Sequence, residues 1–296
     1  MNVRVEEGWM PFGQFKTYYR IVGEPSDLPP LLLLHGGPGS SHNYFELMDN
    51  LAVTSSRQLV MYDQLGCGKS SQPDDQPELY CAATWVAELS ALREHLHLDQ
   101  VHLLGQSWGG MLAIIYSCDY HPTGISSLIL SSTLSSARLW AEEQHRWISY
   151  LSPADQEAIR QAEASGDYSN EAYKLANEHF MIRHASAKPT DQSPEPLRRP
   201  KVGGQVAYQT AWGPNEYTPL GNLRDYEYTK RLVRVKMPAL VINGTDDLCT
   251  PLVAKTMADA LPHAEWELFA GARHMVFAEQ PEKYQRLLSR WLADHD

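Results

Sequence analysis

Cysteine is scarce: the chain has four in 296 residues, Cys67, Cys81, Cys118 and Cys249, far apart and without a C-x-x-C spacing. That is too sparse for a disulfide framework, so they read as reduced thiols. No apolar run approaches the ~20 residues of a membrane-crossing helix. The opening Met1-Asn2-Val3-Arg4-Val5-Glu6-Glu7 carries two acids and no apolar stretch, so it reads as neither signal peptide nor anchor. Basic residues are in deficit, with 25 Lys and Arg against 36 Asp and Glu, a net charge of −11. Such a field repels a phosphate backbone and anionic lipid, so neither nucleic acid nor membrane is an expected partner. Repeats, low-complexity tracts and metal-ligand spacings are missing as well, and no metal is expected. The location these absences leave is the cytoplasm.

What is present is a core-forming composition, 43% hydrophobic and 21% charged, which excludes disorder and fibre. The length fits two domains or one large domain with an insertion. In the first part, strand-like runs at Lys16 to Val22, Leu31 to Leu34, Gln58 to Tyr62, Val101 to Leu104 and Ser127 to Leu130 alternate with helical ones. Thr84 to Leu96 places Val86, Leu89, Leu92 and Leu96 on one helical face, with Glu88 and Glu94 expected opposite. Strand, helix, strand in succession means βαβ units, hence an α/β fold with a mostly parallel sheet and helices on both faces. From about Ala137 to Arg231 the strand signal vanishes and aromatic-bearing polar helices take over, broken by a Pro-rich loop from Pro189 to Pro200. Strand runs return at Ala239 to Ile242 and Glu265 to Phe269, and an amphipathic helix, Pro281 to Ala293, closes the chain. We therefore expect a core of residues 1–136 and 232–296 carrying an inserted helical lid, 137–231.

Gly105-Gln106-Ser107-Trp108-Gly109 follows one strand run and precedes a helical one. That context suits a nucleophile elbow, in which flanking glycines admit a strained serine at a helix N-terminus. The hydroxyl needs a base, and the base needs an acid to fix its tautomer. Of twelve histidines, His274 alone lies in a short loop after the last strand run, where this architecture delivers its base. His184, with His145 and His179, reads as a surface residue of a lid helix. Two aspartates compete for the acid, and the G-x-x-D-x-x-x-P register from Gly244 to Pro251 favours Asp247 over Asp246. His35-Gly36-Gly37-Pro38-Gly39 follows a buried strand run, so the amides of Gly37 and Trp108 are the expected oxyanion donors, with His35 supporting the turn.

Two tempting motifs fail. Gly66-Cys67-Gly68-Lys69-Ser70 lacks the first phosphate-loop glycine, because Asp63 stands there, so Tyr62 to Gly66 reads as a structural loop behind the site. Asn243-Gly244-Thr245 matches a glycosylation sequon only by chance in a cytoplasmic chain.

Four segments together resemble the proline iminopeptidases and tricorn-interacting aminopeptidases of the α/β-hydrolase superfamily, over nearly the whole chain. They are His35 to Gly39, Tyr62 to Ser70, Gly105 to Gly110, and Trp212-Gly213-Pro214-Asn215-Glu216-Tyr217. The resemblance implies release of an N-terminal residue, often proline, from a small peptide or amino-acid amide, with no cofactor and with lid carboxylates holding the free amine. From its chemistry alone Glu216 would be a solvated lid acid; the resemblance makes it the amine ligand. It also puts Gly36, Tyr217 and Leu248 among the expected substrate-binding residues. Two departures stand out. Leu248 occupies a position where the family commonly has a second glutamate, and Ala185-Ser186 replaces a Cys-Arg pair.

The first expectation is thus a serine hydrolase that removes an N-terminal residue, with specificity broadened or shifted toward apolar residues. An esterase, thioesterase or carbon–carbon hydrolase acting on an apolar acyl compound is the alternative, supported by Leu248. A catalytically idle receptor on the same fold is a third reading, opposed by the complete catalytic set.

Overall fold

A computed structural model describes residues 3–296. Eight strands form one sheet: β1 (Val5–Phe12), β2 (Phe15–Val22), β3 (Leu31–Leu34), β4 (Leu59–Tyr62), β5 (Val101–Gln106), β6 (Ile125–Ser131), β7 (Ala239–Gly244) and β8 (Ala264–Phe269). Their order is β1-β2-β4-β3-β5-β6-β7-β8. β1 and β2 pair antiparallel, β2 meets β4 antiparallel, and all pairs from β4 to β8 are parallel.

The central strands are apolar along their whole length because both faces are covered. Successive side chains point to opposite faces. Leu32, Leu34, Val60, Leu103, Leu128 and Val241 therefore join one hydrophobic layer, while Leu31, Leu33, Met61, Leu104, Ile129 and Ile242 join the other. The second layer is closed by the last helix, Pro281–Asp294, through Tyr284, Leu288 and Trp291.

β1 goes unannounced in the sequence. Of its eight residues only Met10 is buried, so this edge strand shows no apolar alternation, and it contains Pro11. The helix Ala82–His95 forms where expected, but Glu88 is not on a solvated face. It is fully buried, and its carboxylate accepts the Leu65 amide at 2.9 Å and the Thr17 hydroxyl, so hydrogen bonds compensate for an acid on the inner side of the helix. Burial raises its pKa to about 7 against those bonds.

Between β6 and β7 the chain builds helices Ala137–Ile148, Pro153–Ser165, Glu171–His184 and Gln205–Ala211, the single turn Glu195–Arg198, and a 3-10 turn Thr229–Arg234. Glu195–Arg198 lies inside the stretch expected to be only a loop, and the 3-10 turn overruns the boundary expected at 231. Local chemistry sets the ends: Ser152 caps Pro153–Ser165, accepting the Asp155 amide with Pro153 at the first helical position, and Gly166 ends that helix at φ 72°. Entry and exit of the insert are tied by Ala137 N–H to Tyr226 O and Tyr228 N–H to Ser135 O.

Candidate active site

β5 ends at Gln106 and the helix Trp108–Ile115 begins two residues later, leaving Ser107 alone at the turn with φ 55° and ψ −122°. A non-glycine residue there is strained by roughly 1–3 kcal/mol and must be held. Ser107 N–H donates to Ser131 O at 3.0 Å, and the Thr133 hydroxyl donates to Ser107 O at 2.6 Å. The glycines are required by contact. A Cβ on Gly105 would lie 2.3 Å from Gly109 O, and one on Gly109 would lie 2.0 Å from Leu34 O.

Asp247 and His274 meet, with Nδ1–H of the imidazole donating to Oδ1 at 2.7 Å. The carboxylate is fully buried. Its Oδ1 also accepts Cys249 N–H at 2.8 Å, and its Oδ2 accepts Gly244 N–H at 3.1 Å and the Ser132 hydroxyl at 2.6 Å. Asp246, its competitor, is exposed. Fixing Nδ1–H leaves Nε2 of His274 as the proton acceptor. Among the described residues Ser107 Oγ makes no hydrogen bond to that nitrogen, a contact that is commonly loose before substrate binds.

Neither Gly37 N–H nor Trp108 N–H donates to another group among the described residues, so both are free for an anion. The loop that carries Gly37 is held from behind. His35 Nδ1–H donates to Gly36 O at 2.8 Å and its Nε2 accepts Gln64 N–H at 3.0 Å. Burial pushes His35 down to about 4, so it stays neutral and fits the expected supporting role.

The insert contributes what no motif announced. Trp147 Nε1–H donates to Asp247 O at 3.0 Å and Gln144 Nε2–H to Leu248 O at 2.7 Å. His184 is buried rather than on the surface, because its ring stacks on Trp147 and its Nδ1–H donates to Asp246 O at 2.9 Å. Its own carbonyl accepts His274 N–H at 3.0 Å. Burial lowers the His184 pKa, keeping the ring neutral.

Glu216 lies in the same neighbourhood. Its Oε1 accepts the Tyr208 hydroxyl at 2.8 Å, its backbone O accepts Trp140 Nε1–H at 2.8 Å, and the Trp140 ring stands edge-on to His274 at 6.1 Å. Burial raises the Glu216 pKa, opposed by the His274 charge and the Tyr208 bond. The three other expected substrate-binding residues make the following contacts. Tyr217 is buried against Phe180 with its hydroxyl on Asn177, the Leu248 side chain is buried, and Gly36 spends its N–H on the Tyr44 hydroxyl. A Cβ on Gly36 would lie 3.0 Å from Ser107 Cβ.

Residues 29–281 match the family described as the alpha/beta hydrolase fold, and the chain belongs to it. Proline iminopeptidase of Lactobacillus delbrueckii subsp. bulgaricus is 62% identical over 295 residues, covering 99% of this chain and 100% of the relative. Proline iminopeptidase of Lactobacillus helveticus is also 62% identical, over 294 residues with the same coverage. Within the alpha/beta hydrolases this chain is a member of the proline iminopeptidase family. Among solved structures, VinJ superposes with a TM-score of 0.90 at 30% identity, covering 98% of this chain and 99% of that one. Proline iminopeptidase of Mycobacterium smegmatis gives 0.86 at 30% identity, covering 98% of each.

Proposed function

We infer that the protein is a serine aminopeptidase that releases an N-terminal residue, proline foremost, from a small peptide or amino-acid amide. The observation that carries this reading is a recessed carboxylate, Glu216, held by Tyr208 and close enough to His274 for their charges to interact. An α-amino group with pKa near ~8 is cationic at neutral pH and wants such a partner once desolvated. A carboxylate that holds the free amine beside the attacked carbonyl would confine cleavage to the first residue.

In this reading Ser107 Oγ attacks the carbonyl as His274 Nε2 takes its proton, and the oxyanion is held by Gly37 N–H and Trp108 N–H. His274 then protonates the leaving amine, and water releases the acyl group by the same route. Asp247 keeps the imidazole in the required tautomer. Residues 137–231 act as a lid that supplies Glu216, and the four free cysteines suit a cytoplasmic setting.

The test is Glu216→Gln assayed on free-amine and N-blocked prolyl esters. Turnover of the free-amine substrate should fall about 30-fold or more in kcat/KM, with the blocked ester spared. Equal loss on both would exclude the amine role. Because burial raises the Glu216 pKa, free-amine kcat/KM in the wild type should decline on acidification sooner than that of the blocked ester. Above ~8 it should decline again as the amine loses its proton.

A further inference from the structure

A cleft of about 410 Å³ opens between the chain that follows His184 and the loop that carries His274. Lys188, Leu197 and Lys201 line it from the insert, and Arg273 and Met275, the two neighbours of His274, line it from the core. Lys201 stands near groups that contact the oxyanion loop. Lys201 Nζ lies 5.9 Å from the centre of the Tyr44 ring, whose hydroxyl accepts Gly36 N–H at 2.6 Å. Three residues beyond Lys201, Gly204 N–H donates to Gly39 O at 2.8 Å.

The charges around the cleft are unequal in their partners. Lys188 pairs with Glu178 at 2.6 Å, and Arg273 with Glu279 at 2.7 Å. Arg199 is held by Glu46 and Glu195, each at 2.7 Å. Lys201 has an aromatic face beside it and, among the described residues, no carboxylate. Lys201 is exposed, and partial desolvation together with repulsion by Arg199 lowers its pKa. An anion at this point would offset both effects. A molecule with net charge −11 otherwise disfavours a free carboxylate, so admitting one needs a local cation.

With the first residue anchored at Glu216, the peptide beyond the scissile bond lies on the other side of Ser107, and the cleft's lining includes both chain neighbours of His274 as well as Lys201, which stands beside Tyr44. We propose that Lys201 forms the leaving-group end of the active site and receives the free C-terminal carboxylate of a short peptide. Short peptide acids are then the preferred substrates over their C-terminal amides. The proposal rests on the aminopeptidase reading.

The experiment compares prolyl di-, tri- and tetrapeptides, each as the acid and as the C-terminal amide, together with a prolyl arylamide that has no carboxylate. At low ionic strength the wild type should favour the acid about tenfold in kcat/KM at the length that spans the cleft, chiefly through KM. Lys201→Met should bring that ratio to about one, Lys201→Arg should keep it above one, and Lys201→Glu should invert it. Equal rates for acid and amide at every length, or a ratio that survives Lys201→Met, would overturn the proposal. If the arylamide is cleaved while the acids show no advantage, the carboxylate site alone fails. If neither arylamide nor any peptide is cleaved, the aminopeptidase reading fails and takes this proposal with it.

Discussion

Ser132 stands one residue past β6 at φ 48° and sends its hydroxyl to Asp247 Oδ2, so one strained residue steadies the partner of the catalytic imidazole. Ser132→Ala leaves Oδ2 with the Gly244 amide as its remaining hydrogen-bond donor. A hydrogen bond to a charged group is worth about 1.5–3 kcal/mol, and the loss falls on the alignment of His274 rather than on substrate contact. Steady-state kinetics on a prolyl arylamide should therefore show kcat down about tenfold with KM little changed; a shift confined to KM would show that Ser132 serves binding instead. The strained turn at Ser107 and the Asp247–His274 pair were legible in the sequence because each residue lies in a short local pattern whose spacing is set by a turn. Ser132, Tyr208 and Trp140 were not, because their partners lie 115, 8 and 76 positions away along chain segments that no common motif links. The Tyr208 separation is short, yet it spans the end of one helix and a turn, so no helical spacing relates the pair.

Elements of the insert grip both catalytic loops by their backbones, through Gln144, Trp147 and His184, and a buried chain of charges fastens the insert further along. His42 Nδ1–H donates to Asp63 at 2.7 Å, its Nε2 stands 3.4 Å from Glu46, and Glu46 meets Arg199 of the insert at 2.7 Å. Burial pushes the Glu46 carboxyl up, but the ion-pair contact with His42 and the bond from Arg199 outweigh it and hold the group at about 2. Burial likewise lowers His42, and its bond to Asp63 and its ion-pair contact with Glu46 reverse the sign and raise it above 6.5. A depressed acid contributes stability above its unfolded pKa, near 4.5, that is lost as pH falls toward 2. A raised histidine contributes below its unfolded pKa and loses that contribution as pH rises through the folded one. The clasp is therefore strongest between about pH 4.5 and 6.5. Glu46→Gln should cost about 1–2 kcal/mol in that window, read as a lowered Tm, and the gap to wild type should narrow on both sides; a gap independent of pH would mean that packing, not charge, holds the segment. The helical character of the insert could be read from its periodicity, but this clasp could not. Glu46 and Arg199 both look like surface charges until the fold brings residues 153 positions apart together.

On the scale of the whole molecule, the sheet separates two hydrophobic layers, and its parallel strands carry their carboxyl ends to one edge, where the loops bearing Ser107, Asp247 and His274 converge. The parallel part of this plan was readable from runs such as Leu31–Leu34, because two-sided burial leaves an unbroken apolar stretch. β1 escaped because an edge strand with one buried residue leaves no such trace. Net charge was readable too, and it acts on the site from a distance. With −11 on the chain, the mean field attracts a cationic free-amine substrate and does nothing for a neutral one. The Debye length shrinks from ~10 Å at 0.1 M salt to ~3 Å at 1 M, so long-range attraction fades while the contact at the recessed Glu216 is screened less. For a prolyl arylamide, kcat/KM should fall about two- to fivefold over that range, mainly through slower capture, whereas an N-blocked prolyl ester should hold steady. Peptide acids, neutral overall but carrying a carboxylate toward Lys201, should respond differently from either: the field acts oppositely on their two ends, and salt weakens only the exposed contact at Lys201. Parallel salt curves for all three substrates would mean that salt changes the enzyme itself rather than its attraction for the amine.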